Sequence, residues 1–145
     1  MDVADMKGLD LGTSEWLEIT QDRIDAFADA TGDHQWIHVD PERAAAGPYG
    51  STIAHGFLTL SLLPYLNSEI RWPVEGAKMT INYGLDRVRF ITPIPVGSRV
   101  RSHVRIIEAA EVDGGIQFKS EVTVELQGSE RPGCVAETLS RVMLG

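Results

Sequence analysis

The sequence predicts an α+β protein in which a curved antiparallel sheet wraps around one long buried helix. Three observations carry this. From Met79 onward, apolar and polar residues alternate over long stretches, as in antiparallel strands with one wet face. Asp113-Gly114-Gly115 between two such stretches is a hairpin signal. Before them, Phe57, Leu58, Leu60, Leu62, Leu63, Tyr65 and Leu66 cover every side of a helix. A helix apolar all round is a buried one, so the sheet has to wrap around it.

Taken in order, Thr13 to Ile19 reads as a short strand carrying Trp16, Leu17 and Ile19. Thr20 then reads as a helix N-cap, with Asp22 in the first turn favouring the helix dipole. Ile24, Phe27, Ala28 and Thr31 follow at helical spacing, and Gly32 supplies the stop. Asp33 is therefore the first residue beyond a helix end. Asp40-Pro41 starts a second helix, an Asp cap with Pro at the first helical position, which Gly47 ends. The loop between the two, Gly32 to Val39, holds both Asp33 and His38. Pro48 to Ser51 is a turn. Gly56 sits in the first turn of the buried helix, and Pro64 is expected to kink it. Strands follow around Met79–Tyr83, Val88–Phe90, Val100–Ile106, Ile116–Leu126 and Cys134–Leu144.

The chain of 145 residues shows no linker, repeat or low-complexity tract, so residues 1–145 read as one domain. A formal net charge of −8 disfavours nucleic acid and anionic membranes as partners. The start of the chain has neither a basic segment nor an apolar one, so no secretory signal is expected. The longest apolar stretch, Phe57 to Leu66, is far short of the ~20 residues that span a bilayer. One cysteine, Cys134, excludes an internal disulfide framework. It reads as buried packing on a strand. These features fit a cytoplasmic protein.

The loop holds the chemistry-bearing residues. Asp33 and His38 stand five positions apart, a spacing that lets a carboxylate and an imidazole converge on one water. Gly56 offers a backbone N–H at a helix start, where amides lack intrahelical acceptors and carry positive partial charge. Together they meet the needs of hydrating a conjugated thioester: an acid, a base and a donor for the carbonyl oxygen. Other readings of the same residues are a solvated loop and a metal site. For the latter, Asp33, His34, His38 and Asp40 offer four ligands within eight positions, although no helix-based metal motif is matched.

Ala30-Thr31-Gly32-Asp33-His34-Gln35-Trp36-Ile37-His38-Val39-Asp40-Pro41, with Ala44 following, resembles the hydratase-2 motif of the MaoC-like (R)-specific enoyl-CoA hydratases. Ile53-Ala54-His55-Gly56-Phe57 resembles the family's second marked segment. The Asp-His-Gln-Trp-Ile-His wording and Asn82-Tyr83-Gly84-Leu85 are similar to NodN-like and mycobacterial short-chain members. The resemblance runs from about Thr13 to the C-terminus. It implies a hot-dog fold and a homodimer, with the acyl chain in a tunnel near the subunit interface. It implies Asp33 and His38 as a catalytic dyad and the Gly56 N–H as the contact for the thioester oxygen. Gln35, His55 and Arg89 are the further candidates for binding substrate. The implied substrate is an acyl-CoA thioester, with coenzyme A as part of it and no other cofactor, and the implied product is an (R)-3-hydroxyacyl-CoA.

The chain departs from the motif at Gln35-Trp36, where many members have Asn-Pro. Gln35 keeps the amide but moves it by about one bond length, ~1.5 Å. Trp36 is expected to narrow the pocket. Among the basic set Arg87, Arg89, Arg99, Arg101 and Arg105, most read as a solvated strand face. Arg89 and Arg87 come first as contacts for the phosphates of coenzyme A. Two alternatives stand beside the hydratase: a hot-dog acyl-CoA thioesterase and a non-catalytic acyl-thioester binding protein. The Asp-x4-His spacing favours the hydratase.

Overall fold

A computed structural model describes all of residues 1–145. The chain opens with one helical turn, α1 (Val3–Met6), and two short strands, β1 (Asp10–Thr13) and β2 (Leu17–Glu18). The strand expected over Thr13–Ile19 is thus two strands with a break between them. Ser14 causes the break: its N–H donates to the Ser102 carbonyl at 2.8 Å, while its hydroxyl accepts from the Ser102 N–H at 2.9 Å.

Helix α2 (Gln21–Thr31) begins as the cap chemistry requires. The Thr20 hydroxyl accepts from the Arg23 N–H at 3.1 Å. It ends on Gly32 at φ 83°, a left-handed geometry that glycine adopts without a Cβ penalty. The segment 32–39 is not all loop, since α3 (Trp36–Val39) forms a helical turn inside it. Helix α4 (Pro41–Ala45) is capped by the Asp40 carboxylate and stops before Gly47.

The central helix differs from its expectation in two ways. It is broken into α5 (Gly56–Ser61) and α6 (Leu63–Leu66). Pro64 has no N–H to give to the Leu60 carbonyl, so the ladder cannot continue through it. It is also buried on one side only. Leu58, Leu62, Leu63 and Leu66 are buried, but Phe57 is 67% exposed and Tyr65 61%. The sheet of a single chain covers one side of the helix and leaves the other open.

That sheet is built from β3 (Met79–Phe90), β4 (Arg99–Val112), β5 (Gly115–Leu126) and β6 (Cys134–Met143). The order is β1-β4-β5-β6-β3, with β2 also paired to β4, and every pairing is antiparallel. Asp113-Gly114 closes the β4–β5 hairpin, with Gly114 at φ 82°. Register shifts interrupt β4 between Ile106 and Glu108, and β3 at Asn82/Gly84 and Leu85/Arg87. Such bulges bend a sheet locally. The inner face, with Val100, Val104, Val122, Val124 and Ala136, packs on Leu58, Leu62, Leu63 and Ile24. A second cluster, Met6, Ile106, Phe118 and Val142, closes the far end beneath Trp72. This is the hot-dog arrangement. Cys134 is buried in the core, and burial pushes its thiol up to about 11, which suits packing and not nucleophilic attack.

Candidate active site

Three segments from distant parts of the chain meet at the start of α5. The α3 turn carries His38. The segment Thr52–His55 leads into α5. The loop from Ile91 to Ser98 follows β3. Backbone hydrogen bonds join them: Ile53 N–H donates to the Ile37 carbonyl at 3.0 Å, Ala54 to Ile94 at 2.9 Å, and Val96 to Thr52 at 2.9 Å. Gln21 on α2 adds a side-chain tie. Its amide donates to the His38 carbonyl at 2.8 Å, and its oxygen accepts from the Thr52 hydroxyl at 2.5 Å. No local pattern marks Gln21 or Thr52, because the partners of Gln21 lie 17 and 31 positions away.

His38 is buried, and its Nδ1 lies 2.7 Å from the Ile53 carbonyl. A carbonyl only accepts, so Nδ1 carries the proton of the neutral ring and Nε2 is left with its lone pair. Asp33 is exposed just past the Gly32 cap, and its carboxylate accepts from the Gln35 N–H at 3.3 Å. A carboxylate oxygen of Asp33 and a ring nitrogen of His38 lie within 4.8 Å of each other. Two hydrogen bonds of about 2.8 Å meeting at a tetrahedral water span roughly 4.5 Å. That upper bound leaves room for one water between the two side chains.

His55 sits beneath this pair and does not reach the cavity beside it. It is 2% exposed and stacks on His38, with ring centroids 3.9 Å apart. Its Nε2–H donates to the Asp33 carbonyl at 3.0 Å, while Nδ1 is buried without a partner. Desolvation holds its pKa below the ordinary histidine value, so the ring stays neutral. The expected substrate contact is thus replaced by a support: His55 fixes the Asp33 backbone from below and the His38 ring by stacking.

The structure regroups the expected metal ligands. His34 turns away to the exposed Asp29 at 2.9 Å, and Asp40 is spent capping α4. Asp33, His38 and His55 form the tight group instead. The two rings are stacked only 23° from parallel, and ring lone pairs lie in the ring plane. Stacked planes cannot aim both lone pairs at one ion, so this donor set is poorly built for a metal.

Gly56 is the first residue of α5, and no side chain caps that helix start. Its N–H is free of intrahelical bonding. A Cβ at this position would stand 2.9 Å from the Phe90 ring, so glycine is required by close approach. His38, Gly56, Thr59, Phe90, Thr92 and Ile94 are among the walls of a cavity of about 210 Å³. Phe90 and Thr92 were not singled out from the sequence, where they are ordinary members of a strand and a turn. A larger cavity of about 700 Å³, lined by Leu63, Asn67, Tyr83 and Leu139 among others, lies toward the other end of the central helix.

Trp36 does not narrow the small cavity. It packs on Gly47 at 3.1 Å from where a Cβ would stand, under the Arg43 guanidinium at 4.3 Å, and so locks α3 to α4. Gln35 is exposed beside Asp33. Arg89 donates to its neighbour's carbonyl, Val88, at 2.7 Å and lines neither cavity. Arg101 and Arg105 pair with Glu125 and Glu121, whereas Arg87, Arg89 and Arg99 form no ion pair.

A hot-dog sheet with a carboxylate and an imidazole near the head of its central helix is a frame suited to acid–base chemistry. The chain belongs to the MaoC-like dehydratases, and is a hydro-lyase: residues 3–128 match the family described as the MaoC like domain. It is 54% identical over 97% of its length to the 3-hydroxyacyl-thioester dehydratase Z of Mycobacterium tuberculosis, covering 93% of that protein. It is 47% identical over 96% of its length to nodulation protein N of Rhizobium leguminosarum bv. viciae, covering 88% of it. The solved (R)-hydratase of A. caviae involved in PHA biosynthesis superposes with a TM-score of 0.75 at 23% identity, over 98% of this chain and 97% of that one. At that identity the likeness speaks for the fold alone.

Proposed function

We propose that this hydratase is (R)-specific and adds water reversibly to a trans-2-enoyl-CoA, giving an (R)-3-hydroxyacyl-CoA. The observation that carries the reading is the spacing of Asp33 and His38, within 4.8 Å and fit to bracket one water. The water oxygen bonds to C3 of the acyl chain as one proton leaves it. The electron pair of the double bond moves toward C2 and the thioester carbonyl, and a proton is delivered to C2. Asp33 and His38 take that proton from the water and pass it on to C2, so that the pair ends as it began. The Gly56 N–H meets the charge that builds on the thioester oxygen.

No cofactor beyond the coenzyme A of the substrate is assigned, in keeping with the near-parallel rings of His38 and His55. A cytoplasmic location is part of the same proposal; no helix is long and apolar enough to cross a membrane. A homodimer is proposed because the outer edge of the sheet exposes Met79, Ile81, Tyr83 and Leu85 beside the open face of the central helix. Arg89 and Gln35 are kept as candidate contacts for the coenzyme and the substrate.

The test is incubation with crotonyl-CoA. Loss of enoyl absorbance without free thiol, and an (R) product on chiral analysis, support the reading. Thiol release would mean a thioesterase, and binding without turnover would mean a binding protein. Asp33→Asn and His38→Gln are each expected to lower turnover by at least ~100-fold with the fold intact. Full activity in both would remove the dyad, and chelator-sensitive activity would overturn the cofactor-free assignment.

A further inference from the structure

One side chain outside both cavities closes a ring of hydrogen bonds around His38. Gln21, the first residue of α2, is half-buried, and its amide nitrogen donates twice. One acceptor is the Asp25 carboxylate at 2.9 Å, a turn further along the helix, and the other is the His38 carbonyl at 2.8 Å. Both partners only accept, so the amide nitrogen must face them. The amide oxygen then meets Thr52 at 2.5 Å, with the Thr52 hydroxyl as donor. Thr52 is bonded to Ile53, whose carbonyl accepts from His38 Nδ1 at 2.7 Å. The ring runs from Gln21 to the His38 backbone, from the His38 imidazole to Ile53, and from Thr52 back to Gln21.

The amide is itself firmly seated. Helix α2 buries Ile24 and Ala28 completely and sets Phe27 against the His55 ring, with centroids 4.9 Å apart. Thr52 is 1% exposed, so water has little access to replace Gln21 as its partner. Neither helix nor loop needs this side chain for its backbone bonds. Thr20 caps α2, and Ile53 N–H already joins its segment to the Ile37 carbonyl at 3.0 Å. What the amide adds is a fixed separation between the backbone of His38 and the carbonyl that its own ring must reach.

We propose that Gln21 is a positioning residue for the acid–base step, whose two arms hold His38 Nδ1 on Ile53 and so keep the Nε2 lone pair available to the reacting water. The inference rests on the hydratase reading above. Without the amide, the His38 carbonyl and the Thr52 hydroxyl both lose a partner. Buried polar groups left unpaired are costly, so the two segments shift to find others. The Ile53 carbonyl then no longer selects the proton on Nδ1. A ring that carries its proton on Nε2 cannot take one from water. Gln21 lines neither cavity, so its effect falls on the chemical step and not on the hold on substrate.

The experiment compares wild type, Gln21→Met, Thr52→Val and the double variant on crotonyl-CoA, with the His38 ring nitrogens followed by 15N NMR. Gln21→Met has the length of glutamine and neither arm. Its kcat is expected to fall by about 10- to 100-fold, the scale of a catalytic group misplaced by about 1 Å. Its KM is expected to stay within about twofold of wild type. Thr52→Val breaks one arm and is expected to lose less. The double variant is expected to lose no more kcat than Gln21→Met, because both changes open the same ring. The NMR signature in wild type is a His38 proton on Nδ1 alone, and in Gln21→Met a mixture of both tautomers. Should Gln21→Met fail to fold, Thr52→Val carries the same readouts. A folded Gln21→Met with wild-type kcat overturns the assignment. So does a loss seen in KM alone, a loss that adds in the double variant, or a loss with the tautomer unchanged, which would mark a general loosening. An inactive wild type would sink the hydratase reading itself, whereas an active wild type with an equally active Gln21→Met would sink this inference alone.

Discussion

Strands β3 and β5 are each 12 residues long and carry the same alternation of apolar and polar residues, yet they are covered very differently. In β5, Phe118, Ser120, Val122, Val124 and Leu126 are buried in strict alternation. In β3 every residue is exposed except Val88, which is half-buried. The cause is position. β5 lies between β4 and β6 and packs on the central helix, whereas β3 has β6 as its one neighbour and an open outer edge. Alternation tells which residues share a face. It does not tell whether anything covers that face. An apolar edge strand left bare is a template for pairing, and β3 runs on to Phe90, which meets the exposed Phe57 edge-on at 6.1 Å.

The contrast can be broken by substitution. Phe118→Ala in β5 empties a fully buried site and is expected to cost about 3–5 kcal/mol, read by denaturant unfolding. The paired change Ile81→Lys with Leu85→Lys in β3 is expected to leave the fold intact and convert a dimer to a monomer, read by analytical ultracentrifugation. A wild type that sediments as a monomer would remove the proposed dimer and leave β3 a bare edge. A single Tyr83→Ala is expected to cost less than about 1 kcal/mol in the monomer, in contrast to its β5 counterparts.

The same difference between covered and open sites predicts a smaller effect at two histidines. Burial, partly offset by the Asp33 carbonyl, lowers the pKa of His55, with His38 adding repulsion. The unfolded chain therefore takes up that proton first as pH falls below about 6.5. Stability from neutral His55 is present above that value and declines below it, by at most about 1.4 kcal/mol per pH unit for one proton. His34 works in the opposite sense: its hydrogen bond to Asp29 raises its pKa, so its contribution is present at low pH and lost as pH rises. Both partners are exposed, and solvent screening keeps that term small. Tm is expected to fall on acidification through about 6.5, less so in His55→Gln and unchanged in His34→Gln. An equal fall in His55→Gln would show that another group controls the acid limb.

Much of the fold was legible because its signals are local. Thr20, Gly32, Asp40-Pro41 and Asp113-Gly114 act on the backbone within a turn of themselves, and each does in the structure what its chemistry requires. The motif around Asp33 and His38 was legible for the same reason. The helical turn inside it was not, because Trp36 is held by Gly47 and Arg43, which lie beyond the second cap. The one-sided burial of the central helix was missed since composition cannot say how far a sheet reaches around.

The sequence alone therefore determined the α+β class, the caps and turns that bound the elements, and the motif that carries Asp33 and His38. Only the tertiary structure decided the His38 tautomer, the supporting place of His55, the wall made by Phe90 and Thr92, and the bareness of β3. The first set depends on hydrogen bonds and periodicities spanning a few residues. The second depends on contacts such as those of Ile53 with His38 and Pro95, which form only when segments far apart in the chain pack together.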